Sequence, residues 1–206
     1  MCEEYRVPPA LGFWRRFSSR GRNTVGKRRA RRYYVDMIRL EQILDSWKAI
    51  RRDTIAAVED FPPGEFDFRP TPEVMAFGEI ARHILDASHG LVGMLLAGEE
   101  DFTRPDFREK MRMQMPALPR DAGQTELAVA LGDSLEGRAA ELAARPPDFF
   151  AHIVTRMDGQ RLTRMEMVQM IKEHELTHRA QLFLYLRLKG IVPATTRRRM
   201  AKQAAK

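Results

Sequence analysis

His174-Glu175-Leu176-Thr177-His178-Arg179-Ala180-Gln181-Leu182, near the C-terminal end of a chain of 206 residues, is the stretch whose reading decides the fold. It lies inside a longer segment that opens with Thr163 and Glu166 in a T-x-x-E capping pattern and closes at Gly190, with Pro193 beyond. That segment reads as one long helix. Met167, Ile171, His174, His178, Leu182 and Tyr185 recur along one stripe of it, which puts both histidines at core positions. Side chains four apart differ by roughly 40° around a helix, so the two imidazoles share a face and can meet on one metal ion. Leu176, Phe183 and Leu184 fall off the stripe. A helix apolar over more than one face is either central or part of a subunit contact.

Working outward, three more helices are legible. From Asp36 to about Phe61, Ile38, Ile43, Leu44, Trp47, Ile50, Ile55 and Val58 recur at helical spacing, and Pro62, Pro63 and Gly64 end the run. A second helix is expected to begin at Thr71-Pro72-Glu73, where threonine can cap and proline suits the first position, and to reach about Ala97. His83 stands in its apolar stripe, while His89 points roughly 120° away from it. The third helix spans Thr125 to about Arg145, and Pro146-Pro147 terminates it. Residues 98–124 lack a sustained period, and a connection of that length shapes a pocket or crosses the end of a bundle. Met111, Met113 and Met115 in this connection read as flexible apolar filler before a soft-metal site. Asp158-Gly159, between short apolar runs, favours a tight turn in a loop or small hairpin, and His152 nearby reads as structural or exposed.

These elements describe an all-α protein, a four-helix bundle with a long crossover between helices two and three. In such bundles metal sites are built from inward-facing side chains of different helices, so His83 supplies the third ligand that His174 and His178 require. Three histidine ligands leave room for water or substrate, the style of a catalytic site. Imidazole suits several divalent ions, with zinc and nickel first among them here and iron and manganese behind. H-E-L-T-H also matches the HExxH pattern of zinc peptidases, in which Glu175 would be the general base. Those enzymes take a third ligand downstream, and after His178 this chain has no Asp, Glu or His, so a peptidase is the weakest reading.

The net charge of +7 belongs to the ends. Residues 1–34 carry +8 and residues 191–206 carry +5, which leaves the middle at −6. Residues 1–34 mix prolines, glycines and arginine clusters without an apolar period and read as a disordered basic extension, with Met37 as the natural start. Residues 35–193 form the bundle and residues 194–206 a basic tail. Trp14-Arg15-Arg16-Phe17 has the look of a twin-arginine signal without the apolar region that export needs. One cysteine, Cys2, permits no internal disulfide, and no apolar run reaches the ~18 residues of a membrane span. A cytoplasmic protein is expected. If the basic ends act, they act on nucleic acid, and the bundle is then a non-catalytic dimeric module.

Residues 37–193 resemble the DinB/YfiT-like proteins. The resemblance rests on Phe66-Asp67-Phe68-Arg69-Pro70, on His83 within Gly78-Glu79-Ile80-Ala81-Arg82-His83-Ile84, and on the run from His174 to Gly190. There His178, Arg179, Gln181 and Leu182 are similar to the family's H-x-x-H-R-G-Q-L motif, with Ala180 where glycine is usual. The resemblance implies a helical bundle holding a divalent metal on three histidines, often dimeric. Its superfamily includes thiol S-transferases that use bacillithiol or mycothiol and thiol-dependent isomerases. It therefore implies a metal-dependent transferase or hydrolase acting on a small molecule, with a low-molecular-weight thiol as cofactor. His83, His174 and His178 would be the ligands, and Glu175 a base or an orienting group.

Overall fold

The computed structural model describes residues 39–205. The basic extension, Met37 and the first residues of the expected first helix lie outside them. Four long helices form the bundle: α1 (Leu40–Asp60), α2 (Phe77–Leu96), α4 (Gln124–Ala143) and α5 (Arg164–Leu188). A short helix, α3 (Phe107–Met113), lies in the crossover, and α6 (Ala194–Ala204) follows α5. A two-stranded antiparallel hairpin, β1 (Ile153–Thr155) and β2 (Arg161–Thr163), precedes α5 with Val154 opposite Leu162.

Helices α1 and α2 each pack against α4 and α5, so the first two helices lie diagonally across the bundle. Two apolar clusters fill the ends. One joins Val58, Phe61, Phe77, Ile80, Leu127 and Leu182, where α1 and α5 finish and α2 and α4 begin. The other joins Ile43, Trp47, Leu91, Leu142, Met167 and Ile171 at the opposite end. Helices α1 and α5 therefore run one way and α2 and α4 the other. The connection from α2 to α4 must therefore travel the length of the bundle, while the other two each cross one end of it.

Helix α2 begins at Phe77, not at Thr71, and the reason is tertiary. Phe66 and Phe68 turn back onto the bundle, where Phe61 and Phe77 stack at 3.6 Å between ring centroids and Phe66 meets Phe77 edge-on at 5.4 Å. The carbonyls of Phe68 and Phe66 then accept the amides of Phe77 and Gly78, both at 2.9 Å, and the Glu79 carboxylate accepts the Ala76 amide at 2.7 Å. Donors that a threonine cap would have satisfied are taken by a folded-back loop. Gly78 permits that approach, since a Cβ there would lie 2.9 Å from Phe66 Cδ1. The capping expected at α5 is present: Thr163 Oγ1 accepts from Glu166 N at 3.2 Å and the Glu166 carboxylate accepts from Thr163 N at 2.7 Å.

Gly159, with φ +82°, makes the hairpin turn. Phe102 N donates to Thr155 O at 2.8 Å and Thr155 N to Glu100 O at 2.7 Å, so the segment after α2 pins the hairpin beside the bundle. At the C-terminus, residues of the basic tail form α6 against α1, where Arg197 pairs with Asp60 at 2.8 Å and Arg198 pairs with Asp53. Among the described residues no helix is long and apolar enough to cross a membrane.

Candidate metal centre

His83 comes from the middle of α2 and His174 and His178 from successive turns of α5, and the packing of these two helices brings all three together. His83 Nε2 lies 3.2 Å from His174 Nε2, which lies 3.1 Å from His178 Nε2. The rings meet edge to face, at interplanar angles of 67° to 85°, so the nitrogens converge while the ring faces do not stack. The Gln181 amide oxygen stands 2.7 Å from His178 Nδ1. That contact puts the proton on Nδ1 and leaves the Nε2 lone pair turned toward the other two imidazoles.

The histidines are half-buried at the rim of the α2–α5 seam and not core residues, a correction to the stripe read from periodicity. Burial pulls His174 down to about 4, with the charges that His178 and His83 would carry adding to the effect. It lowers His83 as well, with His178 second. His83 and His174 are therefore neutral at pH 7, the form that binds a metal. Three donors on a tetrahedral ion at the usual imidazole distance would be roughly 3.3 Å apart. The observed spacings fit that group, and the ligating nitrogens all lie within 4.8 Å of one another.

Glu175 does not join them. Its carboxylate is 1% exposed and faces the bundle interior, where it accepts from Trp47 Nε1 at 2.6 Å, Arg51 Nε at 2.8 Å, Arg51 Nη2 at 2.7 Å and Thr54 Oγ1 at 2.9 Å. Arg51 also donates to Leu131 O at 2.7 Å and Ser88 Oγ at 2.9 Å, so one guanidinium touches all the other long helices. A carboxylate with both oxygens occupied by four donors has no room to act as a base, and it contacts no histidine. The expectation of Glu175 as a catalytic group is corrected accordingly, and with it the peptidase reading loses its base. One step along a helix turns a side chain by about 100°, and that step separates the carboxylate from the imidazoles.

Arg51 is what the reading of the sequence missed. It sits at the same register as Trp47, Thr54 and Val58, and an arginine within an apolar stripe signals a buried partner. His89 donates to or accepts from Ser134 Oγ at 2.8 Å and stands apart from the cluster. His152 is exposed, as are Met113 and Met115, so the crossover methionines make no common site.

Beside His83 and His174 opens a cleft of about 380 Å³. Its walls are apolar: Ala87 and Leu91 from α2, Met167, Met170 and Ile171 from α5, with Met111 of α3 and Arg156 and Met157 of the hairpin closing the far side. Both irregular connections thus contribute to it.

The family model for DinB matches residues 35–205. The chain belongs to the DinB family. Protein YjoA of Bacillus subtilis (strain 168), itself uncharacterised, is 25% identical over 154 residues, which is 75% of this chain and 93% of YjoA. The crystal structure of YjoA, a DinB-like protein, superposes on this DinB fold with a TM-score of 0.56 at 20% identity, over 72% of this chain and 92% of YjoA. A mycothiol-dependent maleylpyruvate isomerase superposes with a TM-score of 0.55 at 15% identity, over 70% of this chain and 61% of the isomerase. At these identities the two structures establish the shared fold. The DinB match runs through α6, the helix formed by residues of the basic tail.

Proposed function

We propose that this DinB protein is a metal-dependent enzyme that acts on a low-molecular-weight thiol and a small second substrate, as a thiol S-transferase or a related hydrolase. The observation that carries the reading is the convergence of three imidazole nitrogens from two helices, with His83 and His174 lining a cleft. The mycothiol dependence of the isomerase of similar fold supports the thiol part. His83, His174 and His178 would hold the ion, zinc or nickel first. A bound divalent cation would favour the thiolate of a thiol over its protonated form near neutral pH. The chain's own residues do the rest. Gln181 holds the His178 ring by its Nδ1–H, the Arg51–Glu175 pair fixes the rotation of α5, and the apolar walls exclude water beside the histidines. A homodimer is part of the proposal, because Leu184 and Leu188 on the outer face of α5 are 54% and 55% exposed.

The nucleic-acid alternative loses support at the C-terminus, where Arg197 and Arg198 are engaged by Asp60 and Asp53. The test is elemental analysis of tag-free protein with isothermal titration of zinc and nickel. His83→Ala should weaken binding by more than a hundredfold and Gln181→Ala by about ten- to a hundredfold, with His89→Ala unchanged. A thiol-transfer screen before and after chelation follows. Equal affinities for the His83 and His89 variants, or a transfer activity indifferent to chelation, would sink the proposal.

A further inference from the structure

We infer that the cleft beside His83 and His174 takes a small molecule with an apolar body and one hydrogen-bond-accepting oxygen, a carbonyl or a carboxylate, seated on methionines and read by Arg156. The inference deepens the proposed function and rests on it only for the name of substrate. The binding itself needs no metal.

Three features of the cleft lead here. First, its volume of about 380 Å³ matches a molecule of roughly a dozen or two non-hydrogen atoms, within the range of ordinary small-ligand sites. Second, four of its lining side chains are methionines drawn from three different elements: Met111, Met157, Met167 and Met170. Thioether side chains adapt to the shape of an apolar partner and favour the edges of aromatic rings, so such a wall accepts an aryl or alkyl body without demanding one outline. Met157 is 54% exposed on the hairpin, an apolar side chain left at the mouth of the cleft where a ligand would cover it. Third, among the described residues Arg156 is the only charged side chain lining this space apart from what the histidines could carry. Asp158 accepts from Arg156 Nε at 2.8 Å and from its Nη2, which fixes the guanidinium in place. The remaining nitrogen, Nη1, reaches the thioether of Met170 at 3.4 Å and no other acceptor among the described residues. Sulfur is a weak acceptor, so an oxygen of a bound molecule would replace it with gain. Because the pair with Asp158 spreads the positive charge, a neutral carbonyl and a carboxylate both satisfy that donor. With the oxygen held at Arg156, the body of the molecule lies along Met170, Met167 and Ile171 and its other end reaches the histidines.

The experiment uses the full chain with methyl-labelled methionine, its resonances assigned by single substitution, and two probes of equal length, phenylbutyrate and phenylbutanol. Expected is a shift of the Met111, Met157, Met167 and Met170 methyl signals on adding phenylbutyrate, with Met113 and Met200 unmoved, in both metal-loaded and chelated protein. Met170→Trp, which fills the cleft, and Met157→Asp, which is exposed and leaves folding intact, should each weaken binding by about tenfold or more. Arg156→Met should abolish the preference for phenylbutyrate over phenylbutanol and retain the binding of both. A methyl ketone with its carbonyl at the same distance from the ring, 5-phenylpentan-2-one, decides between the two oxygens: tighter binding than phenylbutyrate assigns the carbonyl, weaker binding the carboxylate. Shifts confined to Met113 or Met200, or unchanged affinities in both the Met170 and Met157 variants, would overturn the inference while leaving the metal reading untouched. Loss of metal binding in the His83 variant with the methionine shifts preserved would separate the two in the other direction.

Discussion

Two sides of one helix, α5, carry polar groups of opposite kind. On the inner side Glu175 is buried with Arg51, and every oxygen has its donor. On the rim, one residue before and three after, His174 and His178 meet His83 with their Nε2 atoms 3.1 and 3.2 Å apart. A buried ion pair that is fully hydrogen-bonded is a structural device, because disturbing either partner strands the other charge away from water. A cluster of half-buried imidazole nitrogens facing one another is the reverse, an arrangement whose main gain comes when a cation joins it. The HExxH spelling hides this difference, since it places the three residues in one short phrase. The helix separates them by rotation.

The sharpest way to break this comparison is to remove each side in turn from metal-free protein. Glu175→Ala should destabilise the fold by about 3–5 kcal/mol, because Arg51 is left as an uncompensated charge in the bundle centre. His174→Ala should leave metal-free stability unchanged or slightly raised and should instead abolish the rise in melting temperature on adding metal. Denaturant unfolding of both variants, with and without zinc, measures the four values. Equal losses in metal-free protein would mean that the histidines are structural.

A pH series sharpens it further. Burial sets His174 at about 4 in the fold, below its ordinary value near 6.5, so the unfolded chain binds the proton more readily. Metal-free protein should therefore hold its full histidine-linked stability above about 6.5 and lose it as pH falls from there to about 4. His83 is shifted the same way and adds to the loss. Melting temperatures across this range should fall less for His174→Ala than for the parent, and metal loading should raise the curve most at its upper end and steepen its fall, because protons compete with the ion for the imidazoles. A parent curve that stays level from neutral pH down to about 4 would contradict the burial of these rings.

The smallest effect expected is at the surface. Arg198 pairs with Asp53 in a solvated position, and Arg198→Ala should cost less than about 1 kcal/mol, within reach of salt screening. Measured beside Glu175→Ala, it gauges how far burial sets the worth of an ion pair in this molecule.

Much of the fold was legible because periodicity reports which face of a segment is apolar. The four long helices, the T-x-x-E start of α5 and the turn at Asp158-Gly159 follow from local spacing and backbone chemistry, and the structure has each of them. The start of α2 was not legible, since its cap is made by carbonyls of Phe66 and Phe68 held in place by ring contacts with Phe61 and Phe77. At the candidate site, His83, His174 and His178 could be grouped from sequence because two share a face and the third stands in an apolar stripe. Their half-burial and the orienting contact from Gln181 depend on how closely α2 and α5 approach.

Spacing along single segments was enough for the set of helices and for the pairing of His174 with His178, and three short phrases of sequence carried the likeness to the family. The fate of Glu175 and the existence of the cleft depend instead on the packing of helices far apart in the chain. Arg51 lies 124 residues before Glu175, and the methionines that wall the cleft come from three separate elements. Local spacing holds no record of which distant side chain a helix face will meet. The docking of the four long helices settles that, through the burial of two apolar clusters with one polar layer between them.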